Sequence, residues 1–483
     1  MSELRFSNYA LSEPILHAVE LLGFDTPTDV QHAVIPHVLE GKDLIVRSKT
    51  GSGKTASFGI PICESVSWEE NRPQALILTP TRELADQVRQ DVKHIGRFKR
   101  LKVTAVYGKE SFETQKIVLR QKCHIVVGTP GRVLDHLQKE TLNVEQIKYL
   151  VIDEADELLK MGFIEQVEEI IGFLNIERCN LLFSATMPDK VKRLAQTVMK
   201  HPMEIQFTVE EQTPNPIEHS LYVVDSREKW KLLNDVITTE QPERAVIFCR
   251  TQINVDEVTA QLEAYQIQCQ KIHGGMSQDA RFAVMNAFKQ GKFRYLIATD
   301  VAARGIDVED LTHVIHYDWP SDQERYVHRC GRTGRAGKSG ISIAFVTKKE
   351  SSQIEEIERM MNITIERRVT PVYDDLRDVT IDIDPELTKR PTPIKDKTAK
   401  VNEDILKLFF NGGKKKKLRA VDFVGTIAKI EGVEASDIGV ISIEEQLTYI
   451  DILNGKGKLV LQAMKTTTIK GKLLKVYPAN EQN

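Results

Sequence analysis

Three segments of this 483-residue chain combine side chains that suit phosphate chemistry. In the first, Ser48-Lys-Thr-Gly-Ser-Gly-Lys-Thr55, the glycines allow backbone N–H groups to face phosphate oxygens. Lys54 can then reach the β and γ oxygens of a nucleotide, and Thr55 can bind Mg²⁺. The generic motif has Gly where this chain has Ser48. The segment predicts a nucleotide site formed by Thr50, Gly51, Ser52, Gly53, Lys54 and Thr55.

The second segment, Asp153-Glu154-Ala155-Asp156, places adjacent carboxylates at the end of an apolar run. Asp153 can hold Mg²⁺, and Glu154 can polarise the water that attacks the terminal phosphate. An acidic helix start, stabilised by the helix dipole, is the alternative interpretation of this tetrapeptide alone. The phosphate-binding segment upstream favours the catalytic interpretation, in which Lys54 also takes part.

The third segment, His328-Arg329-Cys330-Gly331-Arg332-Thr333-Gly334-Arg335, concentrates guanidinium groups on a backbone with two glycines. An arginine cluster alone is usually solvated surface. Phosphoryl transfer, however, needs positive charge at the γ-phosphate, and an arginine supplied across a cleft would couple domain closure to hydrolysis. Arg332 and Arg335 are therefore candidate catalytic residues.

The apolar pattern predicts two α/β domains that position these segments at the carboxyl ends of their strands. Short apolar runs alternate with helix-period segments, which is typical of parallel sheets buried on both faces. Residues 1–208 and 218–370 are the predicted domains, and a polar linker with two prolines joins them at 209–217. The apolar runs are 43–46, 75–79, 124–127, 149–153 and 180–184, followed by 245–249, 295–299, 313–317 and 341–346.

A third domain is predicted over residues 404–479, after a polar, Pro-interrupted linker at 371–403. Its predicted elements follow the order βαββαβ, which is ferredoxin-like. It has 13 Lys and Arg against 8 Asp and Glu, a net charge of +5 in a chain that carries −3. Alternation places Phe409 and Tyr449 on the open sheet face, a thin platform for base stacking. The residues expected to grip phosphates are Lys414, Lys415, Lys416, Lys417 and Arg419, for which a solvated lysine run is the alternative.

The composition, 41% hydrophobic and 28% charged, is that of a globular protein with several cores. The six cysteines stand singly, which argues against a zinc site or a disulfide framework and predicts reduced core residues. No apolar run approaches the roughly 18 residues of a membrane span, and the N-terminus lacks a signal-peptide pattern. We therefore expect a cytoplasmic protein.

Taken together, these motifs strongly resemble the DEAD-box RNA helicases over nearly all of residues 4–370. The resemblance includes an adenine-reading segment, Gly23 to Gln31, and it implies two RecA-like domains that use ATP and Mg²⁺. An amide can pair with N6 and N7 of adenine, so Gln31 would select ATP over GTP. Residues that the resemblance places at ATP are Phe6, Phe24, Gln31 and Asp307. The resemblance also implies residues that couple ATP hydrolysis to strand separation, namely Ser184, Thr186, Asp156 and His328.

The same resemblance implies a track of RNA contacts on both domains. Hydroxyls, glycine N–H groups and scattered arginines suit a sugar–phosphate backbone, although individually most are equally typical of turns and caps. Three residues depart from the family pattern: Ser48 replaces Ala, Lys109 replaces Gly and Cys330 replaces an aliphatic residue. The implied contacts are Pro80, Thr81, Arg82, Gly108, Thr129, Pro130, Gly131, Arg132, Arg250, Gly274, Gln278, Arg281, Thr299 and Asp300.

The C-terminal domain resembles an RNA-recognition (RRM-like) module, and its position is similar to that in the bacterial DbpA-like branch, whose members act on large-subunit ribosomal RNA. The resemblance implies an ATP-dependent RNA helicase that unwinds short duplexes and remodels structured RNA during ribosome assembly. Its implied partners are a ribosomal RNA hairpin with adjacent duplex and a pre-ribosomal particle, and a monomer is expected. Two alternatives are a DNA translocase with the same core and an ATP-gated RNA clamp or annealing factor with little unwinding.

Overall fold

The computed structural model describes residues 4–48, 52–207, 217–300, 311–320, 322–334, 339–370, 391 and 404–479. The chain forms two compact units. One contains the parallel sheet of the N-terminal half together with the C-terminal antiparallel sheet, and the other contains a second parallel sheet. The predicted linkers lie outside the described residues, except that Ile217 already begins a strand and Pro391 is described alone.

The first parallel sheet contains seven strands within the described residues 44–206. They are β1 Leu44–Arg47, β2 Ala75–Leu78, β3 Val103–Val106, β4 Ile125–Gly128, β5 Tyr149–Ile152, β6 Cys179–Ser184 and β7 Met203–Gln206. Their order across the sheet is β3-β4-β2-β5-β6-β1-β7. Strands β2, β4 and β6 are buried along their whole length, as expected where helices cover both faces.

Three helices of this unit begin where a short polar side chain satisfies one of the first N–H groups. Thr28, Thr81 and Ser111 accept such hydrogen bonds at the starts of three helices. The helices are α1 Glu13–Leu21, α2 Asp29–Leu39, α3 Lys54–Ser65, α4 Arg82–Ile95, α5 Phe112–Leu119, α6 Pro130–Gln138, α7 Ala155–Lys160, α8 Ile164–Gly172 and α9 Asp189–Val198.

The second parallel sheet also has seven strands in the part of the chain that the structure describes. They are β8 Ile217–Val223, β9 Ala245–Cys249, β10 Cys269–Ile272, β11 Tyr295–Thr299, β12 His313–His316, β13 Gly340–Val346 and β14 Glu366–Arg368. Their order is β10-β11-β9-β12-β13-β8-β14. The helices around this sheet are α10 Lys229–Glu240, α11 Gln252–Ala264, α12 Gln278–Lys289, α13 Gln323–Cys330 and α14 Ile354–Met361.

The two parallel sheets share one topology. Adding seven to each strand number of the first sheet reproduces the order of the second. Strand β8 therefore corresponds to β1, β9 to β2, β12 to β5 and β13 to β6. Helix α10, which follows β8, occupies the place of α3, which follows β1.

The C-terminal sheet is antiparallel, with the order β16-β17-β15-β20. Its strands and helices run β15 Leu406–Phe410, α15 Ala420–Ile427, β16 Ile438–Ile443, β17 Thr448–Ile452, α16 Gly457–Ala463 and β20 Val476–Pro478, with a hairpin of β18 Thr468–Ile469 and β19 Lys472–Leu473 before the last strand. The predicted βαββαβ order is confirmed. The sequence pattern places the last strand at residues 473–477, which is too early, because Leu473 belongs to the hairpin and β20 begins at Val476.

The predicted α/β fold class is confirmed, and every predicted apolar run of the parallel sheets is a strand within one residue at each end. The sequence pattern missed β3, β7, β8, β10 and β14. All six cysteines lie in described residues and are buried and free, as predicted. Among the described helices, none has the length and apolar content to cross a membrane.

Alternation along β15 gives a stability prediction. Phe410 is fully buried, with its ring 5.3 Å from that of Phe423, whereas the neighbouring Phe409 lies on the opposite face. Phe410→Ala is expected to destabilise the C-terminal domain by about 3–5 kcal/mol through the cavity it leaves. Hydrogen exchange of residues 404–479 in the full chain measures the loss. Phe409→Ala is the matched control, and equal losses of protection would contradict the assigned faces.

Candidate nucleotide and RNA sites

Neighbouring strands β5, β6 and β1 bring three predicted segments to one sheet edge. The phosphate-binding segment follows β1, the acidic tetrapeptide follows β5, and Ser184 ends β6. Arg47 pairs with Ser184, and Ile152 pairs with Leu182, in parallel register. Because parallel strands end at a common edge, the loops that follow them form one candidate nucleotide site.

The first part of this site is the start of α3. Lys54 is its first residue and is buried, and Gly53 before it has a left-handed φ of +85°, which glycine adopts at little cost. Gln31 Nε2 lies 3.4 Å from Gly53 O, and a Cβ on Gly53 would lie 2.6 Å from Nε2. Thr28 fixes this amide, because its N–H donates to Gln31 Oε1 at 2.9 Å. The predicted adenine-reading side chain therefore lies against the phosphate-binding segment.

The second part is the turn after β5. Asp153 is 4% exposed, its N–H donates to Leu78 O on β2 at 2.9 Å, and its Oδ1 accepts from Glu154 N at 3.0 Å. Burial raises the pKa of Asp153, and the positive charge of Lys54 opposes this rise. Glu154 has φ +50° and ψ +53°, a left-handed conformation that is costly for a side chain other than glycine. Strain of this kind is typical of functional sites.

The predicted coupling residues form a hydrogen-bond network between α7 and the end of β6. Thr186 donates to Asp156 Oδ2 from both its N–H and its Oγ1, each at 3.0 Å. Ser184 Oγ donates to Thr186 O at 2.5 Å and accepts from Asp156 N at 3.3 Å. These bonds satisfy a carboxylate that is only 2% exposed. These hydrogen bonds link residues 184–186 directly to the acidic tetrapeptide.

Some of the remaining predicted nucleotide residues are described by the structure, and others lie outside the described residues. Phe6 is buried with its ring 6.4 Å from that of Phe24, and Ser52 Oγ donates to Ser48 Oγ at 3.3 Å. The described residues contain no cluster of three or more His, Cys, Asp or Glu suited to a metal. The Thr55 hydroxyl and the Asp153 carboxylate fit Mg²⁺, which uses oxygen ligands, few of them from the protein. Outside the described residues lie Thr50, Gly51, Asp307 and Arg335.

Predicted RNA contacts of the first unit follow β3, β4 and β2, the other half of the same sheet edge. A Cβ on Gly108 would lie 3.6 Å from Arg82 Nη2, so these two residues are close. Arg132 Nη1 donates to Gln115 Oε1 at 2.7 Å, which fixes its orientation. Lys109, which replaces the family's Gly, has φ +64°, a conformation that costs a lysine on the order of 1 kcal/mol. Pro80 and Thr81 follow β2, Thr129 follows β4, and Pro130 and Gly131 are the first two residues of α6.

In the second unit, the predicted RNA contacts follow β10, β11 and β9, the strands that correspond to β3, β4 and β2. Arg329 donates to both oxygens of Asp300, at 2.5 and 2.8 Å, and Arg250 Nη2 donates to Glu350 Oε1 at 2.6 Å. The sequence singled out Arg329 only as part of a cluster, so this link between β11 and α13 was missed. The contacts are Gly274, Gln278 and Arg281 after β10, Thr299 and Asp300 at the end of β11, and Arg250 after β9.

The described part of the arginine segment continues from α13. Arg332 is 7% exposed, and its Nε donates to His328 O at 3.2 Å. Thr333 Oγ1 donates to Thr312 O at 3.3 Å. The guanidinium of Arg332 is thus held against the last turn of α13 within the second unit.

The open face of the C-terminal sheet bears three aromatic rings, one more than predicted. Phe409 pairs in register with Tyr449 on one side and with Tyr477 on the other. The ring centroids are 5.6 and 6.5 Å apart, and Tyr477 is 53% exposed. The prediction of a thin platform was therefore wrong, because Tyr477 extends it across a third strand.

The first three lysines of the run form a short 3-10 helix, Lys414–Lys416. Backbone N–H groups of Lys414 and Lys415 donate to the carbonyls of Glu444 and Glu445, each at 2.8 Å. The hairpin β18–β19 adds two cations that the sequence did not suggest. Their ammonium groups donate to carbonyls of the lysine run. The six-lysine cluster comprises Lys414, Lys415, Lys416, Lys417, Lys470 and Lys472, and Arg419 is exposed next to it.

Comparison with known proteins assigns families to three regions of the chain. Residues 28–194 match the DEAD/DEAH box helicase family, residues 228–337 the helicase conserved C-terminal domain and residues 407–478 the DbpA RNA binding domain. The chain is 55% identical over 476 residues to the ATP-dependent RNA helicase DbpA of Bacillus subtilis (strain 168), covering 99% of both chains. It is 43% identical over 370 residues to the DEAD-box ATP-dependent RNA helicase CshA of Geobacillus kaustophilus (strain HTA426), covering 77% of this chain and 79% of that one.

Two solved structures are similar to this fold. S. cerevisiae Dbp5 bound to RNA and ADP BeF3 has a TM-score of 0.69 at 28% identity, covering 76% of this chain and 95% of that one. Mss116p bound to ssRNA and AMP-PNP has a TM-score of 0.69 at 29% identity, covering 76% of this chain and 79% of that one.

The close approach of Gln31 to Gly53 gives a prediction about nucleotide selection. Gly53→Ala places a Cβ 2.6 Å from Gln31 Nε2 and is expected to displace the amide, lowering the preference for ATP over GTP. Binding of both nucleotides to the full chain measures that preference. Gly41→Ala is the matched control, because Gly41 has a similar φ of +73° with open space around it. An undiminished preference in Gly53→Ala would contradict the role of Gln31.

Proposed function

This chain belongs to the DEAD-box family of ATP-dependent RNA helicases, of the DbpA type, and on that premise we propose that it remodels structured large-subunit ribosomal RNA during ribosome assembly. The observation that supports this target is the surface of the small, basic C-terminal domain, which bears three aromatic rings and the six-lysine cluster. The bacterial branch that the sequence resembles acts on that RNA.

In the proposed mechanism, adenine lies at Gln31 and the phosphates lie at the segment 48–55. Lys54 neutralises charge on the phosphate oxygens, and Glu154 orients and polarises the attacking water. Thr55 and Asp153 would hold Mg²⁺, which supplies further positive charge at the phosphates when it is bound. The buried position of Asp153 strengthens this effect, because charges interact more strongly where water is excluded.

Coupling to RNA depends on closure of the two helicase domains when ATP and RNA bind. Arg332 and Arg335 would then supply positive charge to the transferring phosphoryl group, and hydrolysis with phosphate release would reopen the domains. The Asp156–Thr186 hydrogen bonds join the water-activating turn to the end of β6. The closed state would bend one RNA strand along the track and destabilise a short duplex.

The C-terminal domain would select the RNA. Aromatic rings stack on single-stranded bases, whereas lysines neutralise the phosphates of a folded hairpin. Tethering raises the concentration of the core at its target without a part in hydrolysis, so selection and chemistry are separable.

The proposed roles of Glu154 and Lys54 differ in one measurable way. Glu154→Gln is expected to keep ATP and RNA binding while hydrolysis is lost, because only the water loses its partner. Lys54→Ala is expected to lose ATP binding as well, because phosphate charge is no longer neutralised. Nucleotide binding and RNA-stimulated phosphate release distinguish the two variants. Wild-type turnover in Glu154→Gln would refute the assignment of the base.

Removal of residues 404–483 tests the proposed target. The truncated chain is expected to retain an ATPase that responds to generic RNA, while its advantage for a large-subunit ribosomal RNA hairpin over unrelated RNA disappears. If the truncated chain still prefers the hairpin, selection lies in the helicase domains.

Point variants of the full chain separate the two surfaces of the C-terminal domain. Tyr477→Ala is expected to weaken hairpin binding by about 1–3 kcal/mol with an unchanged salt slope. Lys415→Ala with Lys470→Ala is expected to flatten the salt slope by roughly 0.7–0.9 for each phosphate that the variant no longer neutralises. Val421→Ala, at an exposed apolar residue on α15, is the control.

A further inference from the structure

The second unit contains a cavity of about 650 Å³ beyond the carboxyl ends of β9, β12 and β13. This volume is within the range of about 300–1,000 Å³ that small-ligand sites occupy. Since β12 and β13 correspond to β5 and β6, the cavity occupies the half of its sheet edge where the first unit has its nucleotide site.

Two residues of the cavity correspond to the phosphate-site residues of the first unit. Lys229 is the first residue of α10, as Lys54 is the first residue of α3. The N–H of Asp318 donates to β9 at 3.1 Å, as the N–H of Asp153 donates to the corresponding strand β2 at 2.9 Å. Lys229 Nζ donates to Asp318 Oδ1 at 2.9 Å, and both side chains are buried. The second unit therefore retains a lysine and a carboxylate in the topological places of a nucleotide site.

Two features needed for hydrolysis are missing from this cavity. The loop between β8 and α10, residues 224–228, contains no glycine, so its backbone is unsuited to wrapping around a triphosphate. Trp319 follows Asp318 at the place where Glu154 follows Asp153. The cavity therefore has the character of a binding site with no carboxylate in the place of Glu154.

The walls of the cavity suit a base and a phosphate. Trp230 is held by stacking on Tyr265, with ring centroids 6.0 Å apart, and Lys229 Nζ lies 5.7 Å from the centre of the Tyr317 ring. Aromatic faces of this kind stack on any base. Arg227 and Lys349 are exposed cations in the lining of the cavity.

Arg250 belongs both to the lining of the cavity and to the proposed RNA track. The track follows β10, β11 and β9 in sheet order, and the cavity lies at the next strands, β12 and β13. We propose, on the basis of that RNA track, that the cavity binds one further nucleotide of the RNA strand beyond Arg250 and does not hydrolyse it. The recognised chemistry is a nucleoside phosphate, with its base at Trp230 and Tyr317 and its phosphate at Arg227 and Lys349.

The test compares a minimal single strand that fills the track with strands extended by one nucleotide at the 5′ or the 3′ end. Binding is measured on the full chain saturated with a non-hydrolysable ATP analogue. One of the two extensions is expected to raise the affinity about tenfold, as base stacking on an aromatic ring does. Arg227→Glu with Lys349→Glu is expected to abolish this gain.

A matched control and a free nucleotide complete the design. Lys289→Glu with Lys292→Glu makes the same charge change at exposed residues before β11, at the opposite edge of the sheet, and is expected to keep the gain. Adenosine monophosphate is titrated into the same saturated chain by calorimetry. If binding heat is measured with the unmodified chain and is absent from the Arg227→Glu, Lys349→Glu variant, free nucleotide is identified as the occupant and the site is supported.

The remaining outcomes separate this site from the RNA track. The proposal is overturned if adenosine monophosphate fails to bind and neither extension raises the affinity for RNA. It is also overturned if adenosine monophosphate fails to bind and the cavity variant keeps the gain in affinity. Arg250→Ala with the minimal strand reports on the track alone. If that affinity is unchanged, the track is wrong, while the cavity is still decided by the nucleotide titration.

Discussion

Parallel strands place their carboxyl ends, and the loops that follow them, at a single edge of a sheet, and the chemistry of both helicase domains depends on this constraint. In the first sheet, the order β3-β4-β2-β5-β6-β1 divides that edge into two halves. Predicted RNA contacts follow the strands of one half, and predicted ATP residues follow those of the other. The halves meet where the N–H of Asp153 donates to Leu78 O at the end of β2, the strand that precedes the predicted RNA contact Thr81. The predicted nucleotide and RNA residues therefore follow neighbouring strands.

This arrangement requires local backbone and charge states that are costly in isolation. Glu154 has a left-handed backbone without being glycine, and burial raises the pKa of Asp153. The hydrogen bonds of Thr186 and Ser184 to Asp156 offset part of this cost, because they satisfy Oδ2 and the N–H group of this buried residue. A site held in place in this way is preorganised for charge stabilisation, since its donors need little rearrangement when phosphate charge develops.

The sequence predicted the interior of the parallel sheets better than their margins, for a physical reason. Central strands are buried on both faces and appear as continuous apolar runs, whereas β14, Glu366–Arg368, is a charged strand at the sheet edge. Tyr477 was missed because β20 has three residues, too few to establish an alternation. Lys470 and Lys472 are distant from the lysine run in sequence, and only the hairpin brings them to it. The motifs predict a nucleotide site because each of its segments is contiguous in sequence, and no such signal exists for a surface assembled from several strands.

The repeated topology shows what a fold supplies and what individual hydrogen bonds decide. Both units place a lysine at the start of the helix after the first strand and a carboxylate beyond the fifth. Burial would raise the pKa of Asp318, but Lys229 and the N–H groups of Arg250 and Asn254 hold it below its ordinary value. Those donors occupy both oxygens of Asp318, so little of the carboxylate remains for a metal ion. Asp153 instead accepts a hydrogen bond from the N–H of Glu154. The net effect of its surroundings, above all burial, is a raised pKa. The ionised carboxylate is therefore stabilised by an additional positive charge next to it. The same backbone plan therefore yields a structural ion pair in one unit and a carboxylate suited to phosphate chemistry in the other.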